Sequence, residues 1–114
     1  MDTSMIPFDP NAIQEVLGGG EILTSVISFT EKRGYKKIEL QILYTDGIRR
    51  YFVLKDHGTF IEKREIKIKM PNDREARNKE ICRLYYKHKL TQEFIGKIYG
   101  LSQSTVSNIV NELF

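Results

Sequence analysis

Six short polar side chains, Ser102, Gln103, Ser104, Ser107, Asn108 and Asn111, fall within ten residues near the end of the chain. None is a strong acid, base or nucleophile in that company. Their chemistry is hydrogen bonding at a surface. Glutamine and asparagine can bond adenine through two atoms at once, and serine can bond a base edge or a phosphate. Val106, Ile109 and Val110 recur among them at helical spacing, so the segment reads as a helix with one apolar and one polar face.

Other chemistries find little support. There is one cysteine, Cys82, and two histidines, His57 and His88, which excludes an intrachain disulfide framework and argues against a structural zinc site. Cys82 reads as a small core residue. No glycine-rich phosphate loop, metal-ligand cluster or paired-carboxylate site is present, so no cofactor and no enzymatic activity are expected. A resolvase or transposase would need a catalytic Ser, Tyr or acidic triad in a larger domain than residues 1–70 could form. No run of eighteen apolar residues occurs, so no membrane contact is expected. Met1-Asp2-Thr3-Ser4-Met5 has neither a basic nor an apolar leader region. A cytoplasmic protein is expected.

The chain has 114 residues, 40% hydrophobic and 29% charged, and a net charge of +3. The charge is uneven. Arg74 to Lys89 holds six basic residues against Glu75 and Glu80, which is the footprint expected of phosphate binding.

The helices that must position the polar face are legible in turn. Asn72 is expected to cap a first helix to about Lys87, with Ile81, Leu84, Tyr85 and His88 along one face and His88 near its last carbonyls. Thr91 caps a second, Gln92–Tyr99, with Phe94, Ile95 and Ile98 apolar. Gly100 ends it at a turn where φ > 0 is usually needed. Leu101 fills the corner, and Ser102 caps a third helix to about Leu113.

The chain before Pro71 has a different period. Asp9, Pro10 and Gly18 bracket a short helix, and Gly18-Gly19-Gly20 reads as a flexible joint. Strands are expected at Glu21–Thr30, Lys36–Tyr44, Ile48–Lys55 and Glu65–Met70. Asp46-Gly47 and His57-Gly58 mark turns, with His57 expected in solvent. Lys63 and Arg64 read as the wet face of an edge strand. The fold class is therefore α+β: a short N-terminal helix plus an antiparallel β-meander, then a C-terminal three-helix helix-turn-helix domain. Domains are expected at 1–70 and 71–114, divided at Pro71, which cannot continue a ladder.

Asp73–Phe114 resembles the homeodomain-like helix-turn-helix of bacterial and phage regulators, resolvase and transposase DNA-binding regions, and sigma-factor region 4. Leu90-Thr91-Gln92, Ile95-Gly96, Tyr99-Gly100-Leu101-Ser102 and Ser104-Thr105-Val106-Ser107 carry the resemblance, over about 40 of the 114 residues. Gly96 stands where that family most often has alanine, and no wing is expected beyond Phe114. The resemblance implies that Gln103, Ser104, Ser107 and Asn108 read bases. It puts Thr91, Gln92, Ser102 and Thr105 near phosphates, with Lys89 and Lys97 as the nearest cations and Arg74, Arg77 and Lys79 as further candidates.

A single module of this size touches roughly one half-site, so residues 1–70 are expected to dimerise, sharing apolar surface from Ile22, Val26, Ile38, Leu40, Ile42, Tyr51 and Val53. The expected protein is a small homodimeric regulator of bacterial, phage or plasmid origin that binds double-stranded DNA. RNA polymerase or an effector is a further possible partner of the first domain. The alternatives are an accessory factor in plasmid transfer, partition or recombination, and a protein-binding adaptor of the anti-repressor kind.

Overall fold

The computed structural model describes residues 6–112. Readings that fall on residues 1–5 and 113–114, including the third helix's end at Leu113, lie outside the described residues. Eight elements follow one another: α1 (Pro10–Leu17), β1 (Glu21–Thr30), β2 (Tyr35–Leu43), β3 (Arg49–Asp56), β4 (Ile61–Ile66), α2 (Arg74–Tyr86), α3 (Gln92–Tyr99) and α4 (Gln103–Glu112). They form two compact units, 1–66 and 67–114.

The first unit is an antiparallel meander of four strands in the order β1-β2-β3-β4, with α1 on one face. Asp9 starts α1 by accepting from Asn11 N at 2.9 Å and Ala12 N at 3.4 Å. Gly18 ends it with φ 53°, its N–H bonded to Gln14 O. Gly18–Gly20 is a bonded turn rather than a loose joint, since Gly20 N donates to Leu17 O at 2.8 Å. A Cβ on Gly20 would stand 2.7 Å from Ile42 Cγ2, so the chain passes too close to β2 for any larger residue. Tyr44 OH donates to Val16 O and ties the helix to the sheet.

Register decides what α1 covers. Ile38 is paired with Leu54, and Leu40 with Phe52. These four share the core face with Ile13, Ile22 and Ile42, most of them 0–4% exposed. Fully burying each such side chain contributes about 1.5–3 kcal/mol. Val26, Tyr51 and Val53 belong to the other face, because Val26 lies opposite Glu39 and Glu39 opposite Val53. The apolar surface expected to run from Ile22 through Val53 is therefore two surfaces, back to back.

Three further expectations need correction. The fourth strand is Ile61–Ile66, not Glu65–Met70, and Lys67–Lys69 bonds to helices instead of to β3. The compact units consequently divide at Ile66/Lys67, four residues before Pro71. His57 is half-buried rather than in solvent, stacked on Phe60 at 4.5 Å and tilted against Tyr35 at 5.0 Å. Lys63 and Arg64 are exposed on β4, which is an edge strand.

The second unit is the three-helix bundle. Asp73, not Asn72, caps α2, accepting from Ala76 N at 3.0 Å. Ile81, Leu84, Leu90, Phe94, Ile95, Val106 and Val110 are at most 1% exposed and form its core. Cys82 is buried with them, its Sγ 3.9 Å from Ile109 O, and burial pushes the thiol pKa up. Tyr86 packs edge-on against Tyr85 and donates to Val110 O.

Candidate nucleic-acid interface

The turn between α3 and α4 rests on a left-handed residue at Gly100 and a close backbone approach at Gly96. Gly100 takes φ 70°, ψ 33°, with its N–H bonded to Gly96 O. Leu101 N bonds the same oxygen at 2.8 Å. A Cβ on Gly96 would stand 2.6 Å from Leu101 O. Glycine at 96, where alanine is usual in the resembling family, thus fits a turn drawn unusually close to α3.

Caps fix the two helix starts. Thr91 Oγ1 accepts from Phe94 N at 3.2 Å. Ser102 Oγ accepts from Thr105 N at 3.1 Å and meets Thr105 Oγ1 at 2.8 Å. Thr91, Ser102 and Thr105 therefore hold the frame first, and the N–H groups opening α4 make a partial positive charge.

Helix α4 turns Val106, Ile109 and Val110 inward and leaves Gln103, Ser104 and Asn108 exposed. No side-chain hydrogen bond among the described residues occupies those three, so their donors and acceptors are available to a ligand. They sit at i, i+1 and i+5 of the helix's first turns, the part that reaches base edges in this motif. Ser107 differs: it is half-buried and accepts from Asn111 Nδ2 at 3.4 Å. Gln92 is half-buried at the start of α3.

The cations separate into two groups. Lys97 is exposed beside Glu93 at 3.4 Å, Lys79 beside Glu75 at 3.7 Å, and Lys89 is exposed with φ 59°. Arg74 is exposed, while Arg77 is half-buried and donates to Asn78 Oδ1 at 3.0 and 3.2 Å.

Arg83, counted in the basic run, is structural. It reaches Glu80 at 2.6 and 2.7 Å, Lys67 O at 2.9 Å and His88 Nε2 at 2.7 Å. Since arginine only donates, His88 accepts, and it does not serve the helix carbonyls as expected. Glu80 also accepts from Lys69 N at 2.9 Å, and Tyr99 OH donates to Lys69 O at 2.7 Å. Burial would raise the Glu80 pKa, but the Arg83 and Lys69 hydrogen bonds outweigh it and hold the carboxyl below its ordinary value. This clasp fastens residues 67–69 to the bundle. The Glu80/Arg83 i, i+3 spacing was its only sequence signal.

Among the described residues no helix is long and apolar enough to cross a membrane, and no cluster of three metal-ligating side chains occurs. No curated protein and no solved structure matches the chain. Residues 75–112, spanning α2 to α4, match the family described as Sigma-70, region 4, a helix-turn-helix DNA-binding domain.

Proposed function

We propose that this chain is a small dimeric transcriptional regulator, of bacterial, phage or plasmid origin, that reads double-stranded DNA with α4. The observation that carries the reading is the exposed, unoccupied set Gln103, Ser104 and Asn108 on a capped helix inside a sigma-70 region 4 match. In the proposed mechanism α4 enters the major groove, and the two amides bond base edges. Ser102, Thr105, Thr91 and Gln92 lie along the phosphates, with Lys89 and Lys97 supplying charge. The match to a sigma-factor region favours RNA polymerase as a partner in the same reading. The protein would then act in the cytoplasm, on the nucleoid, without a catalytic step.

Selection from a random duplex library, followed by binding at several salt concentrations, tests this. An enriched inverted repeat with half-sites about 34 Å apart, and affinity that falls linearly with log salt, is expected. Replacing Gln103 and Asn108 by alanine should remove preference for the enriched site, about 1–3 kcal/mol per lost contact, and leave weak general binding. No enrichment and no salt dependence would overturn the proposal in favour of a protein-binding adaptor.

A further inference from the structure

The sheet has two edges, and they are protected differently. The β4 edge carries four exposed charged residues in a row, Glu62, Lys63, Arg64 and Glu65. Such a row discourages another strand from adding. The β1 edge is longer, ten residues, and has no charge and no proline from Ile22 to Phe29. It also holds two exposed large apolar side chains, Leu23 at 36% and Phe29 at 59%.

Those two residues are placed symmetrically, each three positions from Val26. We infer that β1 pairs with β1 of a second copy, antiparallel, about a two-fold axis at Val26. Residue 24 then faces 28, 25 faces 27, and Leu23 of each copy faces Phe29 of the other. The bulge in β1 falls at Leu23, between Ile22 and Thr24, so the regular pairing spans Thr24–Ser28 and Leu23 meets Phe29 at its ends. Two four-stranded sheets become one of eight strands, and both of its remaining edges are the charged β4. Pairing β1 with β4 instead would set apolar residues against the charged row, and would leave open edges at which sheets could add without end. A second copy is thus the occupant that the edge itself describes.

The inference deepens the dimeric part of the proposed function but does not depend on DNA recognition. A protein that selects a DNA site yet stays monomeric would sink this inference alone. A short strand pair buries less than the ~1,600 Å² of a standard interface, so the dimer should be weak and is best measured near 100 micromolar, about a hundredfold above a micromolar Kd.

Sedimentation at that concentration should show a dimer that dissociates on dilution. Leu23→Lys with Phe29→Lys, both at exposed positions, should give a monomer with unchanged circular dichroism. In a separate arm, Val26→Cys should form a disulfide-linked dimer under mild oxidation, since directly opposed residues lie within bridging distance. Arg64→Cys on the opposite edge, and wild type with its buried Cys82, should not. A monomeric wild type, a dimer that survives both lysines, or cross-linking through position 64 in place of 26 would each overturn the inference.

Discussion

In β2 the polar residues Lys37, Glu39 and Gln41 are 4%, 0% and 4% exposed, whereas in α4 Gln103, Ser104 and Asn108 stand in solvent. Both segments alternate polar and apolar residues at the period of their element. The difference comes from neighbours. β2 is flanked on both sides, with the buried Val26 and Val53 in register beside Glu39 on the adjacent strands. A surface helix has no such flanks, and its outer stripe meets only water. Polar residues in the inner strand are therefore charged with desolvation and must belong to the structure. Those on α4 incur no such cost and are free for a ligand.

The sharpest way to break that contrast is Glu39→Leu. Burial pushes Lys37 below the ordinary lysine pKa, and the Glu39 carboxylate opposes that shift. Removing Glu39 leaves Lys37 buried without that support. A loss of about 3 kcal/mol is expected in urea denaturation, because an uncompensated buried charge is costly. Adding Lys37→Met should restore the stability to wild type or above, since the pair is then replaced by apolar packing. An unchanged midpoint for Glu39→Leu would mean that these side chains reach water after all.

How much was readable follows the same line. The helical unit was legible because its caps and glycines are local: Thr91, Gly100 and Ser102 each act within four residues of themselves. The α1 helix and the Asp46-Gly47 turn were legible for that reason too, with Asp46 Oδ1 accepting from Ile48 N. What failed depended on pairing across the chain. Alternation in Glu65–Met70 looked like a strand, but β3 is already matched by Ile61–Ile66. Arg83 looked like one more surface cation, because its partners at Lys67 and His88 lie 16 and 5 residues away. Of the base-reading set, Ser107 accepts a side-chain bond within its own helix, from Asn111.

Gly96 sharpens the comparison from the helical side. Alanine would gain about 1 kcal/mol of helix propensity. Its Cβ would meet the Leu101 carbonyl at 2.6 Å, a backbone atom that cannot swing away. Overpacking of this kind costs about 1–3 kcal/mol, so Gly96→Ala should lose a net 1–2 kcal/mol by thermal melting. A stabilised variant would show that the turn relaxes, and that the usual alanine fits here as elsewhere.

The clasp on residues 67–69 adds a pH signature. With its pKa held below the ordinary 4.5, Glu80 contributes stability that is complete above pH 4.5. That contribution is lost as pH falls through the lowered value. Glu80→Gln should cost about 1–2 kcal/mol at neutral pH and flatten the acid limb of a stability profile. An acid limb of unchanged slope would mean that other carboxylates dominate it.

The smallest expected change in stability belongs to Lys97. Its pair with Glu93 spans 3.4 Å with both side chains 50% exposed, and such pairs contribute about 0.2–1 kcal/mol or less. Lys97→Ala should therefore leave melting almost unchanged. In the DNA-binding reading the same substitution removes one phosphate contact, weakening all duplexes alike and lowering the salt slope by about 1. Glu93→Ala gives the opposite arm, with equal loss of the ion pair but the lysine retained. If both variants weaken DNA binding equally, the pair acts by positioning α3. If only Lys97→Ala does, the charge itself faces the phosphates, and the exposed polar stripe of α4 extends onto α3 as one electrostatic surface.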